Sequence, residues 1–421
     1  MLSIQLFRTN KEAILAGLRK KNFKDLQLVD EIIALDEERR KVQAESDALA
    51  ALINTASKNV GMLMAKGDKE AAETQKAAVS TYKEQSKTFL QSIATIDNDL
   101  HEKLLRLPNL PHDSVPVGRT PEDNEVVRQV SETPDLSAQK QPHWELAARY
   151  ELIDFELGNK ITGSGFPVYT GRGARLQRAL ISYFLEYNIA AGYKEYYPPY
   201  MVNEASAYGT GQLPDKEGQM YHATEDNFYL IPTAEVPVTN IYRDEIVKSL
   251  PIKMTAYSPC FRREAGSYGK DVRGLNRVHQ FDKVEIVQLV HPDKSYEALK
   301  EMVAHVEKLL QSLQLQYRIL RLCGGDMSFA SALTYDFEVY SAAQERWLEV
   351  SSVSNFESFQ TNRMKIRFKD ENGKTQLTHS LNGSSLALPR IMACLLENHQ
   401  TPNGIKIPDA LQPYFGSEWI Q

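Results

Sequence analysis

The sequence has few cysteines and no long apolar run. Its three cysteines, Cys260, Cys323 and Cys394, lie far apart and outside any CxxC or Cys/His pattern, which argues against a disulfide framework and against structural zinc. No run of about 18 apolar residues could span a membrane, and the first residues lack the basic start and apolar core of an export signal. We therefore expect a cytoplasmic protein with no zinc and no membrane partner.

The chain also lacks an excess of positive charge. Its formal net charge is -6 and its pI is about 5.9, so any polyanion would have to be bound by local basic patches. The length of 421 residues, with 42% hydrophobic content, is sufficient for two or three domains with a core. This composition leaves an RNA partner open.

Common nucleotide-binding and hydrolase motifs are missing as well. No GxxxxGK[ST], HExxH or GxSxG pattern occurs, and TGRGAR at 170–175 is too short for a dinucleotide fingerprint. If a nucleotide binds, arginines must hold its phosphates, because a guanidinium group matches a pair of phosphate oxygens. The candidates are Arg262 and Arg390, although either one taken alone could form a structural ion pair.

Two long segments near the N-terminus have helical periodicity. After a break at Gly67-Asp68 the apolar spacing resumes and continues to Leu107. We predict a long antiparallel helical hairpin, a coiled coil, within residues 1–110. The stripe of its first arm comprises Ile32, Leu35, Val42, Leu49 and Ile53.

Several lysines cluster near the tip of the predicted hairpin. Residues 1–110 hold 17 Lys and Arg against 16 Asp and Glu, so this part is less acidic than the remainder. The tip lysines could contact a phosphate backbone without reading bases, or they could form the solvated surface of a coiled coil. They are Lys58, Lys66, Lys69, Lys76 and Lys83.

Proline separates the hairpin from the rest of the chain. Residues 108–142 hold six of the 19 prolines, which predicts a linker at 111–142. From 143 to 421, segments with helical spacing alternate with strand-like segments, and residues 385–398 have helical spacing. We predict an α+β domain there, with one large antiparallel sheet.

One stretch, residues 259–285, combines basic, acidic and aromatic side chains. Arg262 and Glu264 are two residues apart and would share one face of a strand. A glycine-rich basic segment follows, and Phe281, Lys283 and Glu285 then alternate on one face of a second strand. We predict an antiparallel hairpin with a long basic tip.

Taken together, these segments resemble bacterial-type seryl-tRNA synthetases, a family of class II aminoacyl-tRNA synthetases, over the whole chain. Residues 260–285 resemble class II motif 2, and the segment that ends at Pro199 resembles motif 1. Residues 382–398 resemble motif 3 with its arginine at Arg390. The seryl members are matched by T-A-E at 233–235, E-V-S-S at 349–352, N-G-S at 382–384 and the helical hairpin.

This resemblance implies a fold, a reaction and partners. The fold would be a class II antiparallel sheet with flanking helices at 143–421, preceded by a tRNA-binding helical arm at 1–110. The reaction would activate L-serine with ATP to seryl-adenylate and transfer the seryl group to serine tRNA, with selenocysteine tRNA left open. Mg²⁺ would accompany ATP. The chain would form a homodimer and contact tRNA through the arm and the loop at 266–277.

Position by position, the resemblance also implies site residues. Arg262 and Arg390 would be catalytic, supplying position and charge. The serine site would comprise Thr233, Ala234, Glu235, Arg262, Glu285, Asn382 and Ser384. The ATP site would comprise Arg262, Arg263, Glu264, Val278, Phe281, Glu349, Val350, Ser351, Ser352 and Arg390. Glu349 and Ser352 would hold Mg²⁺. Whether Ser384 or Ser385 faces serine stays open, with the register of the motif favouring Ser384.

Two other functions fit parts of the sequence. A ligase of the same fold that loads an amino acid onto a carrier protein would lack the long hairpin. A non-catalytic relative that serves as an RNA-binding scaffold would have lost Arg262, Glu285 or Arg390, and all three residues are present.

Overall fold

The computed structural model describes residues 1–130, 136, 140–215, 218–263 and 273–421. The chain forms two compact units. The helical unit comprises Leu2–Arg19 and Phe23–Pro108, and the sheet unit comprises Met1, Lys20–Asn22 and Asn109–Gln421.

The N-terminal elements are α-helices: α1 (Ile4–Thr9), α2 (Lys11–Lys20), α3 (Gln27–Lys66) and α4 (Lys69–Arg106). Helix α3 ends at Gly67, which adopts a left-handed φ of 80° that glycine accepts without strain. Asp68 then caps α4 by accepting a hydrogen bond from the Ala71 N–H at 3.1 Å. The predicted hairpin is confirmed, with its break at the predicted residues.

Helices α3 and α4 pack along each other in antiparallel register. Lys103 Nζ lies 2.5 Å from Glu31 Oε2, and Arg39 forms an ion pair with Asp97. These two cross-helix pairs agree on one register. The apolar seam between the helices includes the buried residues Ile32, Leu49, Ala56, Ala72, Ile96, Leu100 and Leu104.

The described part of the sheet unit contains many short elements around a few long ones. Its α-helices are α5 (His143–Arg149), α6 (Phe155–Ile161), α7 (Gly171–Ala190), α8 (Glu204–Thr210), α9 (Glu235–Asn240), α10 (Ser295–Ser312), α11 (Phe359–Met364), α12 (Leu388–Asn398) and α13 (Gln412–Phe415). Its strands are β1 (Glu125–Gln129), β2 (Ile153–Asp154), β3 (Val168–Tyr169), β4 (Lys194–Glu195), β5 (Met201–Asn203), β6 (His222–Ala223), β7 (Phe228–Leu230), β8 (Ile246–Val247), β9 (Ile252–Phe261), β10 (Gln280–Val290), β11 (Tyr317–Arg321), β12 (Leu333–Ser341), β13 (Arg346–Glu357), β14 (Arg367–Lys369), β15 (Thr375–Leu377), β16 (His379–Ala387), β17 (Gln400–Thr401), β18 (Gly404–Lys406) and β19 (Trp419–Ile420).

An eight-stranded sheet forms the centre of this unit, in the order β1-β11-β12-β13-β16-β10-β9-β4. Its described pairs are antiparallel except for the short pair of β4 and β9, so the predicted α+β class is confirmed. Val284 and Ile286 of β10 belong to the large core with residues of α7, α10 and α12. Side chains alternate along a strand, so Phe281, Lys283 and Glu285 point away from that core.

The structure corrects two details of the sequence prediction. The helix expected over 385–398 begins at Leu388, because Ser385–Ala387 still belong to β16. Pro389 stands in the first turn of α12, where its missing N–H costs nothing. Residues 125–129, in the segment predicted as a linker, form the edge strand β1 paired with β11.

A buried polar cluster joins helices α7 and α10 to the central sheet. The Asn188 amide donates to Thr255 Oγ1 at 3.0 Å, and its carbonyl oxygen accepts from Ser385 Oγ at 2.9 Å and from His305 Nε2 at 2.7 Å. Thr255 in turn donates to the Glu285 carbonyl at 2.9 Å. Burial lowers the pKa of His305 to about 4, so the ring is neutral at pH 7 and its Nε2–H is the donor. The cluster ties two helices to three adjacent strands.

Among the helices of the described ranges, none combines the length and apolarity that a membrane crossing requires.

Candidate active site

A cavity of about 640 Å³ lies on the central sheet of the sheet unit. Its walls come from β10, β13 and β16, from the start of α12, and from segments at 210–215 and 275–278. The structure brings most of the predicted site residues together here. Those that line the cavity are Thr233, Glu235, Arg262, Val278, Phe281, Glu285, Glu349, Val350, Ser351, Ser352, Asn382, Ser384 and Arg390.

Three predicted site residues are not among the lining residues. Ala234 is fully buried and belongs to an apolar cluster beside the cavity. The Arg263 side chain is exposed and lies over the Tyr221 ring, 4.8 Å from its centroid. Glu264 falls outside the described residues, as do residues up to 272 of the predicted basic loop.

A buried ion pair forms one wall of the cavity. Lys283 Nζ lies 2.7 Å from Glu285 Oε2, with side chains 8% and 2% exposed. Thr233 Oγ1 donates to the same Glu285 oxygen at 3.1 Å. Lys283 was not predicted as a site residue, although its alternation with Phe281 and Glu285 places it on the same face. The carboxylate is therefore oriented and neutralised before any ligand arrives.

A second buried carboxylate, Glu235, begins helix α9 in the same cavity. It accepts a hydrogen bond from Gln360 Nε2 at 2.6 Å. Burial, and next the negative charge of Glu285, raise the pKa of Glu235 to about 7, while Gln360, Lys283 and Asn382 act in the opposite sense. Two carboxylates thus share one lysine, and their surroundings suit a further cation such as an ammonium group. Gln360 was also missed by sequence reasoning, which gave no signal for it.

The two adjacent serines of β16 point to different environments. Ser384 lines the cavity and lies opposite Glu285 in the register of β10 and β16. The Ser385 hydroxyl instead donates to Asn188 in the buried polar cluster. Ser384 is therefore the hydroxyl available to a ligand in this cavity.

Two arginines and a phenylalanine, Arg262, Arg390 and Phe281, also line the cavity. Arg262 Nε donates to the Pro232 carbonyl at 3.2 Å, and the guanidinium lies over Phe281, 5.3 Å from the ring centroid. Arg390 donates from Nε to the Asn276 carbonyl at 3.0 Å and from Nη1 to the Glu349 carbonyl at 2.7 Å. Guanidinium groups oriented in this way can bind phosphate oxygens or stack on an aromatic base.

Oxygen atoms suited to a cation come from the neighbouring strands β12 and β13. Glu349 and Ser352 line the cavity, and Asp336 stands opposite Ser352 in the sheet. Asp336 Oδ1 is buried without a hydrogen-bond partner. Burial and the charge of Glu349 raise the pKa of Asp336 well above its ordinary value, against a hydrogen bond from Ser352. No cluster of three His, Cys, Asp or Glu in the described ranges forms a complete metal site. The oxygen donors fit a hard cation such as Mg²⁺ that takes its other ligands from phosphates and water.

The whole chain is similar to known proteins. Residues 219–399 match the model of the tRNA synthetase class II core domain (G, H, P, S and T), and residues 1–111 match the Seryl-tRNA synthetase N-terminal domain. A serine–tRNA ligase of Salinibacter ruber is 50% identical over 420 residues, which cover 99% of this chain and 98% of the relative. The chain belongs to the seryl-tRNA synthetase family.

Solved structures of seryl-tRNA synthetases agree with this family. The enzyme of Pyrococcus horikoshii complexed with ATP is 31% identical with a TM-score of 0.91, covering 100% of this chain and 99% of that one. The cytoplasmic enzyme of Naegleria fowleri in complex with AMP is 28% identical with a TM-score of 0.89, over 100% and 99% of the two chains. The resemblance noted in the sequence is thereby confirmed, as is the class II fold with its N-terminal hairpin.

Proposed function

We propose that the protein activates L-serine with ATP, forming seryl-adenylate and pyrophosphate, and then transfers the seryl group to serine tRNA. The observation that carries this proposal is the cavity whose lining brings Glu235, Lys283 and Glu285 together with Arg262 and Arg390. The identity of 50% to a serine–tRNA ligase over nearly the whole chain supports the same reaction.

Serine would bind beside Glu235 and Glu285. Its ammonium group would pair with Glu235, and its hydroxyl would meet Glu285 and Ser384. Arg262 would hold its carboxylate towards the α-phosphate of ATP. Alanine lacks the hydroxyl, and the buried polar groups left unpaired could reject it by about 10⁴-fold without editing.

ATP would bind beside Arg262 and Arg390. Its adenine ring would lie between Phe281 and the Arg390 guanidinium, and its α-phosphate would contact Arg262. Serine's carboxylate is itself the nucleophile, so these side chains act by holding the reactants in line and by stabilising negative charge. Mg²⁺ held by Glu349 and Ser352 would add charge neutralisation at the phosphates.

The remaining assignments concern tRNA and assembly. Residues 1–110 would form the tRNA-binding arm, 111–142 the linker and 143–421 the catalytic domain. The arm and the loop at 266–277 would contact serine tRNA, and selenocysteine tRNA is a further candidate. The protein would work as a cytoplasmic homodimer through the segment that ends at Pro199. The exposed Tyr197 in that segment, 75% accessible, supports a contact with a second copy.

Serine-dependent exchange of pyrophosphate into ATP, followed by charging of serine tRNA, tests the function. We expect both activities. A protein without exchange would not be a synthetase, and exchange without tRNA charging would remove the tRNA from the proposal. The carrier-protein ligase would show exchange and load a carrier instead, but it gives no reason for the α3–α4 hairpin.

A further inference from the structure

A fully buried His–Glu pair lies outside the groups that the proposed chemistry uses. His143 begins helix α5 and Glu397 stands near the end of α12, and both side chains are 0% exposed. His143 Nδ1 lies 2.7 Å from Glu397 Oε1. The His143 backbone N–H donates to the same oxygen at 2.9 Å.

The Glu397 carboxylate has a full set of donors. Gln344 Nε2 donates to Oε1 at 2.9 Å, and the Ser341 hydroxyl donates to Oε2. A buried charge is tolerated only when hydrogen bonds replace the water that it has lost. The pair is thus a rigid anchor that joins the start of α5 to the end of α12.

The other side of the His143 ring holds the end of the motif 2 loop. The Leu275 N–H donates to His143 Nε2 at 2.8 Å. A ring nitrogen that accepts such a bond carries no proton, so the proton is on Nδ1 and the ring is neutral. Gly274 makes this approach possible, because it has a φ of 67° and a Cβ there would lie 2.2 Å from His143 Nε2.

Residues 273–276 connect this anchor to Arg390 in the lining of the cavity. The Asn276 carbonyl accepts from Arg390 Nε at 3.0 Å. The Asn276 side chain donates to Gln344 Oε1 at 3.0 Å, and Gln344 also bonds Glu397. Next to His143, Trp144 carries the Arg273 guanidinium, 4.6 Å from a ring centroid. The carbonyl that orients Arg390 therefore belongs to a segment fixed from three sides.

We infer that His143 is a positioning residue, which fixes residues 273–276 against Glu397 and, through the Asn276 carbonyl, sets the direction of the Arg390 guanidinium. The inference rests on the proposed function, since it assigns Arg390 to ATP. Glu235 and Glu285 have no such link to His143 among the hydrogen bonds described above. Loss of the anchor should therefore weaken ATP binding and leave serine binding nearly unchanged.

Two substitutions separate the two sides of the ring. His143→Asn keeps a donor near the Nδ1 position and removes the acceptor for Leu275, whereas His143→Gln keeps an acceptor near Nε2 and weakens the contact with Glu397. We expect His143→Asn to raise the ATP KM in exchange, and the ATP Kd by calorimetry, by about 10-fold, because a buried N–H loses its acceptor. We expect His143→Gln to lower Tm, because it weakens the contact with Glu397. Its ATP KM should stay close to that of the wild type.

Arg273 is exposed, so its substitution gives a second test in a protein whose core is unchanged. Arg273→Gln removes the contact with Trp144 without opening a buried hole, and we expect it to raise the ATP Kd by about 3-fold. The matched control is Arg149→Gln on helix α5, the helix that also carries His143 and Trp144. Its guanidinium lies over Tyr150 and donates to Gln141, so ATP and serine binding should not change.

Three results would overturn the inference. One is an unchanged ATP Kd in folded His143→Asn. Another is an equal rise in the serine and ATP KM values, which would indicate general destabilisation. The third is an unchanged ATP Kd in Arg273→Gln when the His143 variants do not fold. A wild-type protein that binds ATP but shows no serine-dependent exchange would contradict the proposed function alone, and the ATP Kd values of the variants would still decide the role of His143.

Discussion

Lys283 and Glu285 form an ion pair of 2.7 Å on one face of β10, and almost no solvent reaches either side chain. Removing one partner of such a pair leaves an uncompensated buried charge. The residue proposed to recognise the serine hydroxyl therefore also stabilises the fold, and a single substitution would mix the two effects.

A double substitution separates recognition from stability. We expect Glu285→Ala to raise the serine KM by about 100-fold or more and to lower the free energy of unfolding by about 3 kcal/mol. Lys283→Met combined with Glu285→Leu should regain most of that stability but none of the serine affinity. The ATP KM should stay nearly constant in both. Exchange kinetics and denaturant unfolding measure these quantities, and an equal loss of serine and ATP affinity would contradict the assignment of Glu285.

Glu235 should make the unliganded protein less stable as pH rises. Burial and the charge of Glu285 raise the pKa of its carboxyl from an ordinary value of 4.5 to about 7 in the folded state, so the folded state binds this proton more tightly than the unfolded state. The stabilisation is complete below pH 4.5 and is lost between there and about pH 7, amounting to about 3 kcal/mol. Unfolding of wild type and Glu235→Gln across this range isolates the contribution. The plots of unfolding free energy against pH for the two proteins should diverge by about 3 kcal/mol over this range. Parallel plots would exclude a contribution from Glu235.

The same carboxyl should couple serine binding to proton release. The ammonium group pairs with ionised Glu235, so serine affinity should rise with pH up to about 7 and then level off. Calorimetry in two buffers with different ionisation enthalpies measures the released protons. A serine affinity independent of pH from 5.5 to 8 would contradict the pairing.

The neighbouring serines of β16 should respond differently to the same change. Ser384→Ala should raise the serine KM by about 10-fold, because the hydroxyl faces the cavity. Ser385→Ala should leave the serine KM unchanged and lower stability by about 1 kcal/mol, since it removes a bond to Asn188. Each variant is the control for the other, and the reverse pattern would show that Ser385 contacts serine.

Arg262 should affect the chemical step strongly and its neighbour should not. Arg262→Lys keeps the charge but loses the planar fork, so kcat for exchange should fall by about 100-fold. Arg263→Gln is the matched control, because the Arg263 side chain lies over Tyr221 and does not line the cavity. A similar fall in kcat for both variants would return Arg263 to the ATP site.

Lysines at the tip of the hairpin should bind tRNA by charge. Replacement of Lys58, Lys66, Lys69 and Lys83 with Gln should raise the tRNA KM and reduce the slope of affinity against salt by about 3, while exchange stays intact. Lys87→Gln is the control, because Lys87 is already paired with Glu84 at 2.7 Å. An unchanged salt slope would favour a solvated surface without an RNA contact.

Local patterns predicted the parts of the fold that depend on neighbouring residues. The break at Gly67-Asp68 and the shared face of Phe281, Lys283 and Glu285 follow from turn chemistry and from strand alternation. The strand β1 could not be found in this way. All five of its residues are exposed, so they show no alternation, and only pairing with β11 makes them a strand.

The candidate site was predicted through a family resemblance, and its details depend on long-range contacts. Gln360 meets Glu235 across 125 positions of the sequence, and neither residue type signals the other. Which of Ser384 and Ser385 faces the cavity is decided by Asn188, nearly 200 residues earlier. Such pairings arise from packing and leave no periodic mark in the sequence.

Asn188 has a consequence for how this sequence can vary. Its amide group forms hydrogen bonds with Thr255, Ser385 and His305. A hydrophobic replacement would therefore remove a hydrogen-bond partner from buried polar groups on several elements. In a library of random variants selected for growth, position 188 should tolerate almost nothing, although it lies outside the cavity lining. Position 188 would then accept as few substitutions as the positions that bind ligands, although Asn188 itself binds none.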